Sequence, residues 1–289
     1  MAWLLTTAAG RTEDFNLAKT QADADKGDAE AQFLLGRAYS RGEGVPQDNG
    51  KALEFYRKAA DQGNAKAENN LGSMYSHGLG VKKDQAEAAK WYRKAAEQGA
   101  VLAQVNLAYM LANGVGVTKN CTEAAQWYLK AASQGQTEAQ IALGKLYYFG
   151  DVGFEKNFAE AAKWLAPSAA QGNAETESLL GFLYQNGWGV EKDPKRAFDL
   201  FQSSAEQGNA AGQRNLGFMY CSGLGTKLDY VTGYKWLILS SGQGDYLAQH
   251  FESEFQSCLS DAQYQQAKKL AGDFTPKAPT VPTGQRSPN

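Results

Sequence analysis

The string Leu-Gly-x-x-Tyr begins at Leu35, Leu71, Leu143, Leu180 and Leu216, and a variant, Leu107-Ala108 with Leu111 in the tyrosine place, fills the gap. Successive leucines lie 36, 36, 36, 37 and 36 residues apart. A fixed period of this length describes a stack of equivalent units, each too small to bury its apolar face except against its neighbours. Cutting after each Gln-Gly or Gln-x-Gly gives repeats 28–63, 64–99, 100–135, 136–172, 173–208 and 209–244, with one inserted residue near Asp151 to Phe154 in the fourth.

Each repeat reads as two helices, A and B. In the second repeat Ala67, Leu71, Met74 and Tyr75 form one helical stripe, and Ala88, Trp91, Tyr92, Ala95 and Ala96 form another. Helix A follows Asp28, Asn64, Asn173, Asn209 or Asp245, and helix B follows Asp48, Asp84, Asn120, Asn157, Asp193 or Asp229. These residues satisfy free N–H groups at a helix start. Ala100 cannot do so, which predicts a weaker junction there. Gly63, Gly99, Gly135, Gly172, Gly208 and Gly244 stand where a left-handed helix end needs no side chain. Gly36, Gly72, Gly144, Gly181 and Gly217 sit in mid-helix at a cost of about 1 kcal/mol each relative to alanine. The expected compensation is close approach of helix B through thin alanine pairs such as Ala59/Ala60 and Ala95/Ala96, with Phe55, Trp91, Trp127, Trp164 and Trp236 filling space between repeats.

The full pattern, Ala-x-x-x-Leu-Gly-x-x-Tyr-x-x-Gly-x-Gly-Val-x-x-Asp-x-x-x-Ala-x-x-Trp-Tyr-x-x-Ala-Ala-x-Gln-Gly, is carried by Ala67 to Gly99 and resembles the Sel1-like repeat, a relative of the tetratricopeptide repeat. The resemblance covers residues 28–244. It implies an all-α fold, a right-handed α/α superhelical solenoid of six helix-pair repeats with terminal capping helices, whose usual work is holding other proteins. Residues 1–27 read as an N-terminal segment with a capping helix from Phe15 to Gly27. Residues 245–274 read as C-terminal capping helices, in which Tyr246, Leu247, Phe251 and Phe255 keep the apolar stripe after the repeat motif is lost. Residues 275–289, with Pro276, Pro279, Pro282 and Pro288, read as a flexible Pro-rich tail.

Several kinds of chemistry find no support. Twenty-nine basic residues against 31 acidic ones leave a net charge of −2, without the basic excess a nucleic-acid binder needs. No apolar run approaches the roughly 18 residues of a membrane span, so membrane insertion is not expected. Two histidines, His77 and His250, and three scattered cysteines, Cys121, Cys221 and Cys258, offer no ligand spacing. No metal or other cofactor is expected. The Gly-x-Gly pieces (Gly42/Gly44, Gly78/Gly80, Gly114/Gly116, Gly187/Gly189, Gly223/Gly225) follow helices rather than strands, which makes them inter-helix turns and not nucleotide fingerprints. Cysteine-rich members of the family resembled have been associated with β-lactam binding or hydrolysis. This chain lacks Ser-x-x-Lys, Ser-Asp-Asn and Lys-Thr-Gly, and alanines stand where that branch pairs cysteines.

The expected function is therefore a non-enzymatic adaptor or scaffold that binds a partner protein or extended peptide on its concave face. The alternatives are a cell-wall or β-lactam hydrolase and a self-assembling structural array. Repeated positions serve the fold, so binding is expected where repeats differ on helix A: Phe33, Arg37, Tyr109, Ile141, Lys145, Phe182, Arg214 and Phe218. By resemblance to tetratricopeptide repeats, Asn70 and Asn106 could face the groove and hold a peptide backbone; a hydrogen bond to a neighbouring segment is the other role open to them. Trp188, in a Gly-Trp-Gly turn, is either a further contact point or packed on the adjacent loop. The first ten residues lack a basic start and a long apolar stretch, which favours a cytoplasmic location over a periplasmic or secreted one.

Overall fold

The computed structural model describes residues 16–278, and all regular elements among them are helical. The chain divides into two compact units, Met1–Gln134 and Gly135–Asn289. In the first, α1 (Leu17–Asp25) precedes three helix pairs: α2 (Ala29–Arg41) with α3 (Asn49–Ala60), α4 (Ala65–His77) with α5 (Gln85–Glu97), and α6 (Val101–Asn113) with α7 (Cys121–Ser133). In the second, α8 (Thr137–Phe149) pairs with α9 (Phe158–Ala170), α10 (Ala174–Asn186) with α11 (Pro194–Glu206), and α12 (Ala210–Ser222) with α13 (Tyr230–Ser241). Then come α14 (Tyr246–Phe255), a 3-10 turn (Gln256–Cys258) and α15 (Asp261–Gly272). Within each unit consecutive helices pack on one another as far as α14, and α15 packs back on α13.

The helix starts follow the sequence closely. Asp28, Asn64, Asn173 and Asn209 accept from the third backbone N–H of their A helices, and Asp48, Asp84, Asn120, Asn157, Asp193 and Asp229 do so for their B helices. Ala100 and Gln136 make no side-chain cap, so α6 and α8 begin without that bond.

The mid-helix glycines do admit helix B, but not by the thin alanine face expected. A methyl at Gly36 would stand 2.6 Å from the Tyr56 ring, and one at Gly72 2.6 Å from Tyr92. In the C-terminal unit Leu165, Phe201 and Leu237 occupy the same place over Gly144, Gly181 and Gly217. The residue after the tryptophan position thus sits directly on the glycine, and the alanines Ala59, Ala95 and Ala205 line the core around it with no exposed surface. Phe55 stacks on Tyr39 of its own repeat at 5.7 Å and also packs on the cluster of Ala24, Ala31 and Leu35 that joins the first repeat to α1.

Two contacts between consecutive repeats were not legible as such. The second glycine of the inter-helix turn lies against the start of the preceding helix B. A Cβ at Gly80 would overlap the Asn49 carbonyl, at Gly116 the backbone of Gln85, at Gly189 that of Phe158 and Ala159, and at Gly225 that of Pro194. These glycines also hold φ between +67° and +70°, so both space and backbone exclude a side chain. The second contact is a ladder of buried amides. Gln32, Gln104 and Gln213 donate to the Ala24, Ala96 and Ala205 carbonyls at the end of the preceding helix. They accept in turn from Gln62, Gln134 and Gln243 of their own repeat at 2.8–3.1 Å.

The ends differ from expectation in one respect. Asn16 caps α1 and so fixes the start of the N-terminal capping helix; Phe15 and everything before it lie outside the described residues. The tail expected to be flexible from 275 is held at its start. Phe274 meets the Trp236 ring edge-on at 5.1 Å, Lys277 N donates to the Glu206 carbonyl at 2.8 Å, and Lys277 Nζ pairs with the Glu206 carboxylate at 2.6 Å. Residues 279–289 lie outside the described residues.

Candidate interaction faces

In the N-terminal unit, the outward side of α4 carries Asn69, Ser73 and His77, four residues apart, and that of α6 carries Leu102, Asn106, Tyr109 and Asn113. Asn106 Nδ2 donates to Asn69 Oδ1 at 3.3 Å, joining the two rows. Tyr109 and Leu102, two turns apart on one side of α6, are 57% and 58% exposed. Two large side chains on one side of a helix, beside the joined amides of Asn69 and Asn106, make an amphipathic strip open to solvent. Asn113 donates to the Tyr109 carbonyl at 2.8 Å, and His77 Nδ1 lies 2.9 Å from the Ser73 carbonyl, so both are held against their own helices. Leu102, not among the residues expected from sequence, lies in the first turn of α6.

The other N-terminal candidates are committed to the fold. Phe33 is 7% exposed and packs on Tyr56 at 5.9 Å. It is a core residue, which excludes it from the predicted groove. Arg37 is half-buried, its Nε 3.5 Å from the Glu43 carboxylate. Asn70 hydrogen-bonds the phenol of Tyr56 on the preceding helix; burial pushes that phenol's pKa up, and the bonds to Asn70 and Ser40 oppose the shift. Asn70 and Asn106 thus both bond to neighbouring helices.

In the C-terminal unit the equivalent side is covered by the protein itself. Lys145 pairs with Glu175 and Arg214 with Asp245, each at 2.6 Å. Phe182 meets Trp188 at 5.5 Å and Tyr148 at 6.4 Å, and Trp188 stacks on Phe158 at 4.9 Å. Burial drives the Tyr148 phenol to about 12. Phe218 lies against Phe251 and Phe255 of the capping helix α14 at 5.0 and 6.2 Å. Ile141 is half-buried on α8. Phe182, Arg214 and Phe218 therefore act as packing and pairing residues rather than exposed anchors. Beside them the inserted residue of the fourth repeat builds a short loop closed by reciprocal Asp151 and Phe154 backbone bonds of 2.9 Å, with Val152 at its tip.

Among the described residues, burial governs most of the shifted titratable groups. The Cys221 thiol is buried and pushed up to about 12 by that burial, which suppresses the thiolate. Glu68 and Glu177, buried at the ladder positions held elsewhere by glutamine, have their carboxyl pKa values raised by burial. Arg93, 2.6 Å away, holds Glu123 below the ordinary carboxylate range. Among the described residues no group of three or more His, Cys, Asp or Glu could hold a metal ion, and no helix is long and apolar enough to cross a membrane.

The Sel1 repeat family profile matches residues 29–64, 65–99, 101–136, 137–173, 174–209 and 210–245. The chain belongs to the Sel1 repeat family. Sel1 repeats typically serve as protein-interaction scaffolds, and the family is generally non-catalytic. Among solved structures, the chain is similar to a Sel1 repeat protein from Oxalobacter formigenes, with 35% identity, a TM-score of 0.58, and coverage of 77% of this chain and 92% of that one. It is also similar to c5321, a protective antigen present in uropathogenic Escherichia coli strains, with 29% identity and a TM-score of 0.59 over 89% of this chain. The chain spans 63% of the length of c5321. No curated protein matches the sequence.

Proposed function

We propose that this Sel1 repeat protein is a non-enzymatic adaptor that holds an extended segment of a partner protein along α4 and α6. The observation that carries the reading is the exposure of Leu102 and Tyr109 on one side of α6, beside the amides of Asn69 and Asn106. Large apolar anchors supply the desolvation energy of an interface, and amides that both donate and accept suit a peptide backbone. The remaining candidates on helix A contribute less to this reading because Phe33, Phe182, Arg214 and Phe218 already have partners within the protein.

A photo-crosslinker placed at Leu102 in the full chain, expressed in its native cell, is expected to give a discrete adduct identifiable by mass spectrometry. Tyr109→Glu should abolish that adduct while circular dichroism stays unchanged. An undiminished adduct in a folded Tyr109→Glu variant would overturn the assignment of this strip.

A further inference from the structure

The segment Phe274-Thr275-Pro276-Lys277 is a ligand that the chain supplies to itself. It lies across the end of α11 and the side of α13 with four recognisable contacts. Phe274 meets Trp236 edge-on at 5.1 Å. The Pro276 ring lies 3.3 Å from where a Cβ on Gly208 would stand, so a side chain there would have to push the ring back by a few tenths of an ångström. The Lys277 amide donates to the Glu206 carbonyl, and its ammonium pairs with the Glu206 carboxylate. Lys235 covers the Trp236 ring at 4.1 Å at the same time, so a lysine on the indole is compatible with the aromatic at its edge.

All the receiving residues belong to the repeat, so the same surface recurs. At the junction of the first two repeats Asp61, Gly63 and Trp91 stand at the spacing of Glu206, Gly208 and Trp236. Here nothing occupies the space above the glycine: a Cβ on Gly63 would meet no atom within 4 Å. Asp61 is exposed, Trp91 is half-buried, and Lys94 lies over its ring at 4.1 Å in the part played by Lys235. At the next junction, Glu97, Gly99 and Trp127, the indole is closed off at 8% exposure with its Nε1 donating to Glu123.

We infer that the Asp61/Gly63/Trp91 surface is a second docking site, separate from the strip on α4 and α6, and that it takes an extended segment of another protein with the pattern aromatic-x-Pro-basic. The aromatic meets Trp91, the proline covers Gly63, and the basic side chain pairs with Asp61. Proline restricts the free segment's φ angles and so lowers the ordering cost of binding.

The probe is a capped peptide of residues 273–278, Asp-Phe-Thr-Pro-Lys-Ala, with a benzophenone in place of the phenylalanine ring, photolysed with the full chain and read by mass spectrometry. Saturable labelling of the segment around Trp91 is expected, half-maximal between about 10 μM and 1 mM, the range for a short segment. Asp61→Lys should reduce it at least about fivefold, combining a lost ion pair with like-charge repulsion. This substitution is exposed and puts a cation at a helix C-terminus, so the fold tolerates it. Labelling confined to the Trp236 or Trp127 regions, labelling unchanged by Asp61→Lys, or no labelling would each overturn the inference.

Discussion

In the N-terminal unit α6 leaves a large aromatic on its outer side to solvent, whereas in the C-terminal unit the matching aromatics of α10 and α12 are covered. Tyr109 on α6 is 57% exposed, but Phe182 on α10 is wedged between Tyr148 and Trp188, and Phe218 on α12 is capped by Phe251 and Phe255. The cations differ only in where their partner lies: Arg37 meets Glu43 of its own repeat, whereas Lys145 and Arg214 each meet an acid about one repeat further along the chain. One position in one repeat can thus serve recognition or packing, and the neighbouring repeat decides which. An aromatic residue at a variable position identifies a binding face only when the next repeat leaves it uncovered.

Substitutions test this contrast directly. The largest effect is expected at Phe218→Ala or Phe182→Ala, each losing about 2–3 kcal/mol of stability through lost burial and an unfilled gap, measured by the denaturant midpoint of the full chain. A loss as small as that of an exposed residue would remove the distinction between the units. Arg214→Ala should follow at about 1–3 kcal/mol, because Asp245 is left partly buried without its partner while it also caps α14; the same measurement reads it.

Glu68→Gln changes sign. Burial raises the Glu68 pKa in the folded state, so protonation favours folding and ionisation opposes it. The penalty is absent at pH values below the ordinary carboxylate pKa. It develops as pH rises through the raised folded value and is complete above it. Glutamine at this position restores the donor that Gln32, Gln104 and Gln213 use elsewhere in the ladder. The variant is expected to gain about 1 kcal/mol at pH 7 and nothing near about pH 4, read from thermal or denaturant unfolding at the two pH values. A gain that persists at acidic pH would assign the effect to packing instead. The smallest change is expected for Tyr109→Ala, within about 0.5 kcal/mol of the parent in the same denaturant assay.

The architecture was legible because the 36-residue period, the Asp/Asn starts and the glycine ends are local signals written many times over. The reading failed where a residue's role depends on something not adjacent in sequence. Phe33 looked like a variable surface position, but Tyr56 tilts onto it from the other helix of the pair. Phe218 looked like an anchor until α14, whose repeat motif has decayed, folded over it. The tail at 275 looked flexible from its prolines, yet the Glu206 carboxylate and the bare Gly208 backbone hold its first residues. Leu102 went unnoticed because only its lack of a neighbour distinguishes it, and lack of a neighbour has no sequence motif.

The overlap a side chain would meet at Gly80, Gly116, Gly189 and Gly225 bears on how such a chain can change its length. Each of these glycines fits the start of the helix one repeat back, so a cut and rejoining that removes a whole period restores an equivalent fit, while removing half of one sets a side-chain-bearing residue against a backbone. Gain or loss in steps of thirty-six codons is therefore the path of least disruption. The fourth repeat locates the exception. Its extra residue was admitted in the loop whose tip, Val152, is 94% exposed, and a side chain at Gly153 would meet open space. That loop is where further single-residue length variation among descendants of this chain is expected to accumulate.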